Sequence, residues 1–119
     1  MKVAAVQFIA TGRVSDNIEL ACARIREAAG NGAQLIVLPE ASSQAFETGR
    51  LDEQAEGLDG KFATALHDVA SELGVVVVAG MFRPADQVER DGKTLNRVYN
   101  SSLITGRDVH KFYDKVHTY

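Results

Sequence analysis

A glutamate just behind a strand-ending proline and a lysine near the far end of the chain are the residues best placed to do chemistry. Glu40 follows the apolar run Gln34 to Leu38 and Pro39. That is the carboxyl end of a predicted strand, where α/β proteins build their sites. Burial among apolar neighbours there would raise a carboxyl toward the range a general base requires. The plainer reading is a solvated loop glutamate. Lys115, between Asp114 and Val116 at the end of a late predicted strand, could set an ammonium beside a developing oxyanion. Such a donor typically contributes roughly 10²–10³ in turnover. Its plainer reading is a surface charge.

A nucleophile is harder to find. Cys22 is the only cysteine and falls on the apolar stripe of a predicted helix. Burial without a cationic neighbour raises a thiol's pKa and leaves it inert, so Cys22 is expected in the core. Ser42, Ser43, Ser101 and Ser102 lack the G-x-S-x-G elbow that exposes a serine for attack. His67, His110 and His117 show no metal-binding spacing, and no metal or cofactor is expected. Gly30 and Gly32 follow a helix instead of opening one, which argues against a phosphate cradle and so against a small nucleotide binder. Asp52, Glu53, Glu56 and Asp59 read as a solvated acidic rim.

The elements that must position these groups alternate. Lys2 to Ile9 reads as a strand buried on both faces, followed by a turn at Thr11 to Arg13. Asp16 and Glu19 form a capping pair, and Ile18, Ala21, Cys22, Ile25, Ala28 and Ala29 lie on one stripe of a helix that Gly30-Asn31-Gly32 stops. Gln34 to Leu38 is a second strand, which makes a βαβ unit with parallel pairing and a right-handed crossover. Ala41 to Gly60 reads as a long polar loop of the kind that carries function. Phe62, Leu66, Val69, Ala70 and Leu73 predict a second helix ended by Gly74, and Val75 to Gly80 a third strand. Asp91-Gly92 marks a turn, Val98 to Thr105 an antiparallel return strand, and Val109 to Tyr113 a last short strand.

The 119 residues are 45% hydrophobic and 24% charged, with 13 basic against 16 acidic side chains. This suits one soluble domain or part of one, with neither the basic footprint of a nucleic-acid binder nor a membrane-spanning run. The lone cysteine and the lack of a secretory signal point to a reduced, cytoplasmic setting. Two helices cover one face of a sheet whose other face is also apolar, so a further layer is expected. A homo-oligomer or a complementing chain would supply it.

Taken together, Val3-Ala4-Ala5-Val6-Gln7, the run Gly32 to Glu40, Leu58-Asp59-Gly60, the strand Val75 to Gly80, Tyr99-Asn100-Ser101 and Tyr113-Asp114-Lys115-Val116-His117 resemble the amino-terminal half of the nitrilase superfamily of carbon–nitrogen hydrolases. The resemblance runs in order over essentially the whole chain. It implies an α/β fold, part of an α-β-β-α sandwich, with a mixed sheet and two helices on one face. It also implies hydrolysis of a small-molecule amide, less readily a nitrile, by a Glu-Lys-Cys mechanism. Glu40 matches the family's general base and Lys115 its oxyanion-stabilising lysine. The family's cysteine attacks the carbon, and water hydrolyses the acyl-enzyme.

That cysteine lies a few tens of residues beyond the lysine in the family. Here four residues follow Lys115, with Thr118 where an apolar residue is more usual. Residues 1–119 are therefore expected to form a single partial domain with two of three catalytic groups, inactive alone. The alternative is a non-catalytic nitrilase-like binding or assembly module.

Overall fold

The computed structural model describes residues 1–45 and 54–115, and of Arg90 and Leu95 only the backbone. Val3–Ala5 (β1), Leu35–Val37 (β2), Val76–Arg90 (β3), Lys93–Gly106 (β4) and Val109–Asp114 (β5) form one sheet in chain order. β1, β2 and β3 pair in parallel, and β3, β4 and β5 antiparallel. The parallel pairs require crossovers, supplied by α1 (Val14–Gly30) and α2 (Lys61–Leu73).

Strand periodicity sorts the sheet into two faces. Ala4, Ile36, Val77, Thr105 and His110 line up across the five strands in one row. Ile36 and Val77 in that row, with Ala79, Met81 and Leu103, join Ala21, Ile25, Phe62, Leu66 and Ala70 of the helices in a buried core. Both helices therefore cover one face. The opposite row of Ala5, Val37, Val78, Ile104 and Lys111 carries none of the fully buried side chains. β1 is correspondingly not buried on both faces: Val3 is 54% exposed and the strand is only three residues long.

α1 begins at Val14, before the expected Asp16–Glu19 pair. Arg13 makes no side-chain cap. Gln54, far along the chain, accepts from the Val14 N–H and donates to Gly12 O. Asn17, buried in the first turn, binds the Thr11 backbone and donates to Ser43 O. This satisfies groups a helix start leaves open and ties it to the loop after β2.

β3 and β4 are much longer than their apolar cores. They run as a ribbon to the expected Asp91-Gly92 turn, where both residues have positive φ, as tight hairpins favour. Pro84 is accommodated because the register shifts between it and Gln87, at a bulge. On the helix side, the His110 Nε2–H donates to Leu58 O. Its Nδ1 is then the acceptor for the Thr105 hydroxyl, whose oxygen accepts from the His67 Nδ1–H. The two histidines are spent on binding α2 to the sheet.

Candidate active site

Glu40 is set by a tight turn that leaves β2. Leu38 N–H donates to Val78 O, so the parallel ladder runs on to the proline. Pro39 O then accepts from the Gly80 N–H, and Ser42 N–H donates to Gly80 O. The Ser42 hydroxyl closes the turn onto Pro39 O, and Ala41 takes a positive φ of 58°. This turn lies directly on Gly80. A Cβ there would sit 2.5 Å from Ala41 N and 2.7 Å from the Glu40 Cα. Only glycine admits so close a backbone approach.

The loop after β2 was expected to be long and polar. Its first residues are instead buried: Ala41, Ser42, Ser43 and Gln44. Ser43 Oγ accepts from the Phe82 N–H, and Glu56 N–H donates to Phe82 O. Ala41, Phe82 and Val98, with Ala55 against them, make a second small apolar cluster on the side away from the helices. Asp52 and Glu53 lie outside the described residues. Glu56 accepts from the Phe62 N–H at the start of α2 and is no solvated rim charge.

Lys115 arrives from β5, at an edge of the sheet. Its N–H donates to Asn100 O at 2.9 Å, extending the β4–β5 ladder by one step. Lys115 Nζ lies 2.9 Å from Glu40 Oε1. Asn100, only 2% exposed, donates from Nδ2 to the same oxygen at 2.8 Å. Its own Oδ1 is buried with no hydrogen-bond partner among the described residues. Glu40 Oε2 accepts no hydrogen bond among the described residues.

The carboxyl is not raised, as burial alone would have it. The Lys115 ammonium foremost, then the Asn100 amide, hold it below its ordinary value, outweighing a small desolvation. The glutamate side chain is 49% and the lysine side chain 39% exposed. The pair therefore lies open to solvent, with one carboxylate oxygen held and the other without a partner among the described residues.

Cys22 lies on α1 against the helix-side core. Burial pushes its thiol up, and Arg26 only partly opposes this. It is not one of the groups around Glu40. Ser101 faces Asp114, and His117 and Thr118 are outside the described residues. Among the described residues no three His, Cys, Asp or Glu side chains form a cluster fit for a metal, and no helix is long and apolar enough to cross a membrane. Asn100 is the residue at this centre to which sequence reasoning gave no role. Its signal was its place in Tyr99-Asn100-Ser101, one of the segments that carry the resemblance.

Residues 2–119 match the family description "Carbon-nitrogen hydrolase". The chain belongs to that family. It is 33% identical to the omega-amidase NIT2-A of Xenopus laevis over 90% of its own length and 36% of that protein's. A Mycobacterium tuberculosis hydrolase is 33% identical over 100% of this chain and 41% of its own. The chain thus spans well under half the length of the curated relatives it matches.

Among solved structures, the Caenorhabditis elegans NitFhit protein superposes with a TM-score of 0.74 at 18% identity, over 98% of this chain and 28% of that one. A C145A mutant of the Nesterenkonia AN1 amidase from the nitrilase superfamily gives 0.71 at 19%, over 100% and 44%. At such identities the likeness is one of fold. The sheet and its two helices are one α and one β layer of the nitrilase sandwich.

Proposed function

We propose that this chain is the amino-terminal part of an amidase-type carbon–nitrogen hydrolase domain, and that Glu40 and Lys115 are its general base and oxyanion-binding group. The observation that supports this best is their meeting at 2.9 Å from the ends of β2 and β5, two strands with β3 and β4 between them. The nucleophilic cysteine is supplied by residues outside these 119. In this reading Glu40 Oε2, the oxygen that accepts nothing among the described residues, takes the thiol proton. The thiolate forms a C–S bond to the amide carbon, and the oxygen that gains charge is met by Lys115 Nζ. Collapse breaks the C–N bond, and Glu40 returns the proton to the departing ammonia or amine. Glu40 then takes a proton from water as the water oxygen bonds to the thioester carbonyl carbon; collapse breaks the C–S bond, the carboxylic acid leaves, and Glu40 returns the proton to the thiolate.

Likeness to a protein named as an omega-amidase supports small-molecule amides, before nitriles, as the substrates. Covering the apolar face opposite the helices requires a second sheet layer, from the same polypeptide, a complementing chain or a second copy. The setting is cytoplasmic.

Ammonia release from such amides by the native protein carrying this chain tests the reading. Glu40→Gln and Lys115→Ala should each lower kcat/KM by roughly 10²–10³. Cys22→Ser should leave it unchanged, and residues 1–119 alone should release none. Loss of activity in Cys22→Ser, or its persistence in Glu40→Gln, overturns the assignment.

A further inference from the structure

We propose that Arg83 is a positioning residue for Lys115, acting through a forked contact with Asp114 that pins the end of β5 from the face opposite Glu40. The inference rests on the reading of Lys115 above for its catalytic consequence only.

Arg83 lies on β3, opposite Tyr99 of β4. Its Nε donates to Asp114 Oδ1 at 3.0 Å and its Nη2 to Oδ2 at 2.6 Å. The Ser101 hydroxyl donates to Oδ1 at 2.5 Å. The guanidinium carbon also lies over two rings, 3.5 Å from the Phe112 centroid and 5.3 Å from that of Tyr99. The arginine and aspartate side chains are 18% and 30% exposed, so solvent screens this pair far less than it screens a surface pair. Arg83 foremost, and Ser101 after it, keep the Asp114 carboxyl below its ordinary value.

Asp114 is the residue before Lys115, and successive side chains in a strand point to opposite faces. Anchoring Asp114 on the helix side therefore commits Lys115 to the Glu40 side. Such commitment is needed here. β5 pairs only with β4 among the described strands, and its last step is the single bond from Lys115 N–H to Asn100 O. A slip of one residue would present Asp114 to Glu40, carboxylate to carboxylate. The same strand serves both groups. Gly80 of β3 seats the Glu40 turn, and Arg83, three positions on, holds the approach to Lys115.

The test reads Glu40 and Lys115 directly, in the native protein carrying this chain. Arg83→Met keeps an apolar stem over Phe112 and deletes the fork. In that variant the Glu40 carboxyl, followed by ¹³C NMR, should titrate at higher pH than in the wild type. Deuterium exchange of the Lys115 amide should quicken by roughly tenfold, with the Val77 and Leu103 amides unchanged. Arg83→Lys keeps the charge but has no planar fork, so it should shift both readouts the same way by less. If Arg83→Met does not fold, Arg83→Lys decides.

Wild-type titration and exchange in a folded variant overturn the proposal. Where the wild type hydrolyses amides, kcat should fall roughly tenfold with KM within about twofold; a change in KM alone also overturns it. Where the wild type hydrolyses none, the proposed function fails, and the titration still decides the clamp.

Discussion

Glu40 carries its two contacts on one oxygen, and this fixes how the carboxyl should respond to pH. Hydrogen bonds to the charged form favour it, so the Lys115 and Asn100 donors keep the folded pKa below the ordinary 4.5. The stabilisation they give is fully present above that value and is lost as pH falls through the depressed one. In the function proposed above Glu40 is the base and must be ionised to act, so the acid limb of kcat/KM should follow the same group. Asn100→Leu removes one donor and should move that limb to higher pH. It also deletes the buried Oδ1, which has no partner among the described residues, and this limits the damage to stability. A folded variant whose acid limb stays at the wild-type pH would refute the role of Asn100. Glu40 and Lys115 were legible because each ends a strand inside a recognisable motif. Asn100 was not, because an asparagine in a strand gives no local sign of which side chain it faces.

Among the elements, β3 does the most positioning, and its weakest point is the one that sequence reasoning passed over. Gly80 reads as an ordinary strand residue, and only the seating of the Glu40 turn upon it shows why it has no side chain. Gly80→Ala puts a methyl group against backbone atoms at 2.5–2.9 Å, which no rotamer change relieves. Overpacking of this kind costs about 1–3 kcal/mol. The turn is the part free to move, so the Glu40–Lys115 contact should be lost before the fold is. Chemical denaturation and the Glu40 titration check this together: stability should fall by that amount while the carboxyl returns toward its ordinary pKa. A titration unchanged from the wild type would show that the turn does not depend on the close approach. The element order, both helices and the hairpin turn were legible from periodicity and turn residues. The start of α1 was not, because its cap is Gln54, a partner 40 residues away. The length of β3 was not, because Pro84 argues against a strand unless a bulge receives it.

For the molecule as a whole, the two faces of the sheet should answer mutation differently. Ile36 and Val37 are adjacent on β2, yet Ile36 is fully buried under the helices while Val37 is 36% exposed on the other face. Ile36→Ala opens a cavity in the core and should cost about 2–5 kcal/mol. Val37→Lys gives up strand propensity and some apolar contact and should cost about 1 kcal/mol. Urea unfolding of residues 1–119 measures both, provided the slope with denaturant is unchanged. The apolar strands were readable from sequence, but which face lay bare was not. Continuous runs such as Val75 to Ala79 look alike on both sides and become distinguishable only once the helices choose one. Equal costs at the two positions would mean that the far face is covered in solution even by this chain alone. A second copy would then have to be supplying the missing layer.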